Sequence, residues 1–340
     1  MQQHIRSFLG QFHWCAPMRS LISITSRTVL LPFYHTVSDK RLPHIANLYS
    51  LRNTRLFTQD LEFFCRHYQP VSAEELYQIV SGQRSSAKPV FHLTFDDGLK
   101  EIYTLVAPIL EQKGIPATVF LNSGFVDNTG FFFRYKVSLI LERLKTTQDR
   151  ATLESIATCF RNPNLPEAQL QRQLLALGYH DQPLIEQIGN ILDLDFEDYL
   201  KQEQPYLTSA QIKDLQHRGF TFGSHSIDHP LFKTLPLEEQ KKQVQQSFAY
   251  LEEKLGIRER YFSFPFSDDG VSLKFIQWLH SEAACKLSFG ISGLKDDVSP
   301  FHLHRMPVEG STKPIAQLVK SEYLYYLLKA PLHKNHIARI

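Results

Sequence analysis

Short apolar stretches alternate with amphipathic ones along most of this chain, a rhythm that confines it to a mostly parallel sheet wrapped by helices. Residues 90–95 (VFHLTF) read as a strand ending at Asp96-Asp97-Gly98, followed by a helical pattern over 99–113 that stops at Gly114. Residues 117–121 (ATVFL) form a second strand rich in β-formers. Two helix starts carry capping boxes: Ser72 with Glu75, flanked by Val71 and Leu76, and Thr208 with Gln211, flanked by Leu207 and Ile212. Further strands are expected at 220–222, 261–264 and 286–291. Helical spacing connects Leu237, Val244, Phe248, Leu251 and Leu255, and again Phe275, Ile276 and Leu279. Such a sheet is either open or closed into a barrel.

Residues 134–205 interrupt the rhythm. Val137, Ile140, Leu141 and Leu144 are helically spaced, as are Leu153, Ile156, Ala157 and Phe160, and then Leu184, Ile188, Ile191 and Leu192. This stretch reads as a helical insertion on the side or rim of the α/β body, or as a small helical subdomain. The expected organisation is an N-terminal extension (1–30), a catalytic domain (31–330, with the insertion at 134–205) and a C-terminal tail (331–340). The 323–328 segment (YLYYLL) is expected to be a helix covering the barrel; an interfacial patch or a dimer surface is the alternative.

Composition narrows the function. A net charge of +2 with no long basic run argues against nucleic acid as a partner. Cys15, Cys65, Cys159 and Cys285 are too dispersed for a zinc cage or a disulfide framework, so reduced, mostly buried thiols are expected. The apolar residues Phe8, Leu9, Phe12 and Trp14 are interrupted and lack a signal-peptide pattern, and no stretch is apolar enough to span a bilayer. A cytoplasmic location is the resulting expectation.

Two motifs carry chemistry. In Thr94-Phe95-Asp96-Asp97-Gly98, adjacent carboxylates repel one another, and a nearby cation is the simplest compensation. Both serve one site only if the strand ends there, and Gly98 allows the sharp turn. An ordinary acidic turn is the alternative. In Gly223-Ser224-His225-Ser226-Ile227-Asp228-His229-Pro230, two histidines four apart would share one face of a helical turn, which Pro230 stops at His229. Ser226 stands where the glutamate of an HExxH metalloprotease would be, which removes that mechanism. Asp228 is either a partner of a ligand histidine or a turn residue.

Together these motifs resemble the polysaccharide deacetylase family (carbohydrate esterase family four). The resemblance extends to 31–37 (LPFYHTV), 261–266 (YFSFPF), 287–291 (LSFGI) and 303–308 (LHRMPV). It implies a distorted (β/α) barrel of about seven strands and a metal-dependent hydrolase that removes acetyl groups from N-acetylated sugars or polysaccharides. Asp97, His225 and His229 would be the metal ligands, Asp96 the catalytic base, and the ion zinc, with cobalt or nickel as alternatives. Ser263 stands where many members have an arginine that orients the base, a departure shared by some exopolysaccharide-directed members. His304, or failing it His302, is the candidate acid. Phe266 and Arg305 are the candidate substrate-side residues, Arg305 alternatively pairing with a carboxylate. His35 and His92 are expected in the core or at the rim, with a position near the site as the alternative for His35. The partner is a glycan or amino-sugar substrate; hydrolysis of a non-sugar amide, or a glycan-binding module with a vestigial site, are the other readings.

Overall fold

A computed structural model describes residues 16–162 and 165–339. Cys15 and the apolar stretch before it lie outside the described residues. Eight segments form one sheet: β1 (Pro32–Tyr34), β2 (Leu93–Phe95), β3 (Ala117–Leu121), β4 (Thr221–Ser224), β5 (Tyr261–Ser263), β6 (Leu287–Gly290), β7 (His302–His304) and β8 (Met306–Pro307). Every neighbouring pair is parallel, in the spatial order β7-β6-β5-β4-β3-β2-β1-β8.

The two ends of that order are consecutive in sequence, separated only by Arg305. The segment first pairs with β6 and then crosses to β1. The Arg305 N–H donates to the Gly290 carbonyl at 3.0 Å and the Met306 N–H to the Leu31 carbonyl at 2.8 Å. The sheet therefore closes on itself at Arg305. Counted as continuous stretches of chain, the barrel has the expected seven strands. All run in one direction, so the loops after their C-terminal ends share one rim, where such barrels place their sites. β3 is buried at every residue, as expected for a strand covered by helices outside and core inside.

Both capping boxes form, Ser72 with Glu75 and Thr208 with Gln211. Two expected elements are broken. Val90–Phe91 pairs with Val29–Leu30 and Gln69–Pro70 in a separate small sheet, and only Leu93–Phe95 belongs to the barrel. His92 marks the break, with Nδ1 bonded to the Val71 carbonyl at 2.8 Å and Nε2 to Thr118 Oγ1 at 3.0 Å. The helix expected over 99–113 begins as a wide π-turn, Ile102–Val106, before Ala107–Lys113. Pro108 has no N–H to close a bond to the Thr104 carbonyl, and the wider turn absorbs that gap.

Among the described residues of 134–205 there is no strand. Helices from Phe133–Leu144 to Phe196–Glu203 bury Tyr135, Ile140, Ile156, Leu174, Ile185 and Ile188 in one apolar cluster. That cluster includes Leu99, Phe125 and Tyr206 from the barrel's loops, which seats the helices on the rim carrying Asp96 and Asp97. The helix Ile315–Lys329 packs Val319, Tyr323 and Tyr326 into the main core beside Met18 and Leu21. Its tyrosines face inward, with Tyr323 Oη donating to the Arg27 carbonyl at 2.7 Å. Of the three described cysteines, all free, only Cys285 is buried; Cys65 lies on the outer side of a helix whose Phe57, Leu61 and Phe64 face the core. No helix among the described residues is long and apolar enough to cross a membrane.

Candidate active site

Asp96 and Asp97 follow directly on β2. Asp97 has φ +69° and Gly98 φ +64°, so the chain turns sharply and brings both carboxylates to the rim. A Cβ on Gly98 would lie 2.6 Å from the Leu121 side chain, so the turn also needs the missing side chain. Ser226, His229 and Phe266 share the left-handed conformation, at φ +70°, +64° and +57°. Backbone strain of this kind costs of order 1 kcal/mol per residue and concentrates where surrounding contacts fix functional groups.

The loop at 225–230 is not the helical turn that the histidine spacing suggests. Pro230 disfavours right-handed helical geometry at His229, and that residue goes left-handed instead. Side chains hold the loop: Ser226 Oγ accepts the His229 N–H at 3.1 Å, and Ser224 Oγ accepts the Ser226 N–H at 3.2 Å. Gln243 accepts the Ile227 N–H at 3.0 Å and donates to Asp228 at 2.8 Å. Asp228 also accepts from Tyr179 Oη at 2.6 Å. It is a turn residue that ties the loop to the helical insertion.

The imidazoles nevertheless converge. His225 Nε2 lies 3.6 Å and His229 Nε2 3.4 Å from Asp97 Oδ1, and all three residues are buried. His225 Nδ1 donates to the Ser263 carbonyl at 2.8 Å, so the Nε2 lone pair faces the carboxylate. Burial lowers the pKa of both histidines, His229 to about 3, and keeps them neutral as ligands must be. Tyr135 Oη, from the insertion, donates to Asp97 Oδ2 at 2.9 Å, while Oδ1 is buried without a hydrogen-bond partner. One orphaned carboxylate oxygen between two neutral imidazole nitrogens fits a divalent ion of the zinc type with positions left open.

Asp96 is held by Arg305. The guanidinium donates to both carboxylate oxygens, at 2.8 and 2.7 Å, and to Thr94 Oγ1 at 3.0 Å and Ser263 Oγ at 2.6 Å. Its Cζ lies 4.4 Å from the Phe33 ring centre. Burial works against ionisation of Asp96, but Arg305, joined by His225 and His35, outweighs it and holds the carboxyl well below the usual carboxylate range. Arg305 has no exposed surface, so it is not the substrate-side residue anticipated; it pairs with the site carboxylate. It also accounts for Ser263, whose short side chain leaves room for an arginine arriving from across the barrel.

His304 does not join this centre. Arg305 points into the barrel, so its strand neighbour His304 points out. There it meets Asp297 at 3.2 Å, beside Asp268 and His302. His35 occupies the rim instead. Its Nδ1 lies 2.6 Å from Glu309 Oε2, whose carboxylate also accepts the His35 and Thr36 N–H groups at 2.9 and 3.0 Å. Burial would lower the His35 pKa, but Glu309, Asp97 and Asp96 together raise it to about 9. A quarter of its side chain (24%) remains exposed. Glu309 carried no sequence signal beyond following the 303–308 segment. Phe266 is 39% exposed, with its ring 4.5 Å from that of His229, which also rests 4.3 Å from Phe132.

Residues 83–277, more than half the chain, match the family model described as polysaccharide deacetylase. The fold is similar to that of Streptococcus pyogenes deacetylase PplD, solved with acetate (17% identity, 86% of this chain and 97% of that one, TM-score 0.55). It is also similar to IcaB from Ammonifex degensii (17% identity, 87% and 97%, TM-score 0.54). A de-N-acetylase from Aggregatibacter actinomycetemcomitans has 13% identity over 84% of this chain and 96% of that one, with a TM-score of 0.51. No curated protein matches the chain.

Proposed function

The chain belongs to the polysaccharide deacetylase family, and on that premise we propose that it is a metal-dependent hydrolase removing acetyl groups from N-acetylated sugars or polysaccharides. One observation carries the reading: Asp97 Oδ1 and the Nε2 atoms of His225 and His229 converge beside a second carboxylate, Asp96, that Arg305 keeps ionised. Asp97, His225 and His229 would hold the ion, most simply zinc, with cobalt or nickel as substitutes. When bound, the ion polarises the acyl carbonyl and acidifies a water.

The rest of the work falls to side chains of this chain. Asp96 takes the proton of the attacking water, and Arg305 fixes the direction of its carboxylate. His35, protonated and oriented by Glu309, gives a proton to the departing amine nitrogen. One proton enters at Asp96 and one leaves from His35, so amide hydrolysis balances. Tyr135 positions Asp97, which frees its other oxygen for the ion. Phe266 and Phe132 offer an apolar surface beside His229 for the acetyl methyl or a sugar face. PplD, a deacetylase solved in complex with acetate on a similar fold, supports the removal of an acetyl group.

Acetate release from a panel of N- and O-acetylated glycans tests the reading. The Asp96→Asn variant is expected to retain its metal and lose turnover by about 10²–10⁴-fold. Turnover at the wild-type rate would overturn the assignment of Asp96 as base.

A further inference from the structure

We propose that Asp268, Asp297, His302 and His304 form a second divalent-metal site, on the outer side of the barrel and separate from the Asp97–His225–His229 centre. One ligand atom from each of the four lies within 4.8 Å of the others. Two carboxylate oxygens and two imidazole nitrogens are a donor set of the zinc type.

The histidines are two apart on β7, so both project from the same face of the strand. His302 is oriented from behind: its Nδ1 lies 2.7 Å from Ser288 Oγ, which His280 Nε2 approaches at 3.1 Å. That leaves Nε2 facing Asp268 at 3.2 Å, the arrangement expected of a ligand imidazole. His304 has a fully buried side chain, and its Nδ1 has no hydrogen-bond partner while facing Asp268 Oδ2 at 3.9 Å. Gly290 makes the space, since a Cβ there would collide with Asp268 Oδ1 and His304 Nδ1. Asp297, His302 and His304 also line a cavity of about 230 Å³, which gives an ion its path of entry.

Arg339 now spans the two carboxylates, 2.5 Å from Asp268 Oδ2 and 2.7 Å from Asp297 Oδ2. One guanidinium supplies a single positive charge against two carboxylates and offers nothing to the His304 Nδ1 lone pair. A divalent ion supplies both. The ion therefore competes with Arg339, which the pairing of Asp296–Asp297 with His336–Ile337 brings to the site. Metal binding here displaces the C-terminal residues that carry Arg339.

The test is equilibrium dialysis of the chelator-stripped full chain against Zn²⁺ alone. A His225→Ala/His229→Ala variant, lacking the first centre, is expected to keep one equivalent and to lose it when His302 and His304 are also replaced by alanine. Arg339→Gln, with all four ligands intact, is expected to tighten that equivalent at least about tenfold by removing a competing charge. Zinc retained after loss of His302 and His304 would overturn the proposal. If that variant does not fold, Arg339→Gln decides alone: no bound zinc, or an affinity equal to that of the parent, shows an ion-pair network only.

Discussion

Replacing Arg305 with methionine removes the guanidinium that bonds both oxygens of Asp96 while keeping a side chain of similar length inside the barrel. The carboxylate is 2% exposed and loses two donors, at 2.8 and 2.7 Å, so it is left buried without its directly bonded positive charge. Breaking a buried ion pair from one side costs about 3–5 kcal/mol. The cost depends on pH in a direction the structure sets. In the wild-type protein Asp96 titrates below its unfolded value of about 3.9, so its contribution is present above that pH and is lost as pH falls through the lower folded value. In the variant, burial is opposed only by the more distant His225 and His35, so the folded pKa rises from its wild-type position and the stabilising contribution of the carboxylate shrinks. The difference between the two proteins is therefore smallest near pH 2, where the wild-type carboxylate begins to protonate, and full near pH 7. Urea unfolding of both metal-free proteins at the two pH values measures it. A difference equal at both pH values, or below about 1 kcal/mol at pH 7, would refute the pairing as the source of the low Asp96 pKa.

Two further outcomes follow from the same centre. In the metal-free protein His35 titrates near 9, above its unfolded value of 6.5, so its contribution is full below pH 6.5 and disappears as pH rises through 9. Glu309→Gln is expected to flatten that part of the stability–pH curve, as followed by thermal unfolding, and His35→Ala to reduce acetate release by about 10²-fold or more; a flat wild-type curve over that range would count against the His35–Glu309 pair. Tyr135→Phe is expected to weaken metal binding at Asp97 by about tenfold, as read by metal titration, with unfolding free energy changed by only about 1 kcal/mol.

What could be read from the sequence was local. Asp96-Asp97-Gly98 sits at the end of a strand, and the two capping boxes lie within four residues, so neighbouring side chains reveal them. What could not be read depends on long-range closure. Arg305 meets Asp96 across 209 residues and Glu309 meets His35 across 274, because the last strand closes the barrel beside the first. The choice between His304 and Arg305 is a matter of strand phase: a shift of one residue exchanges inside for outside, and here both faces are buried, so alternation gives no cue. The histidine pair misled for a different reason. Spacing of four reads as a helical turn, but Pro230 and the serines of the loop impose another geometry with the same convergence.

Under the proposed function, Asp97, His225 and His229 hold an ion on which deacetylation depends. The most direct test of that claim pairs elemental analysis with acetate release from an N-acetylglucosamine oligosaccharide, before and after chelation and after zinc is restored. The expected result is loss of turnover by at least about a hundredfold on removal of the metal and recovery on its return. Undiminished acetate release from protein shown to contain no metal would contradict the claim, as would metal-loaded protein that releases acetate from no acetylated sugar.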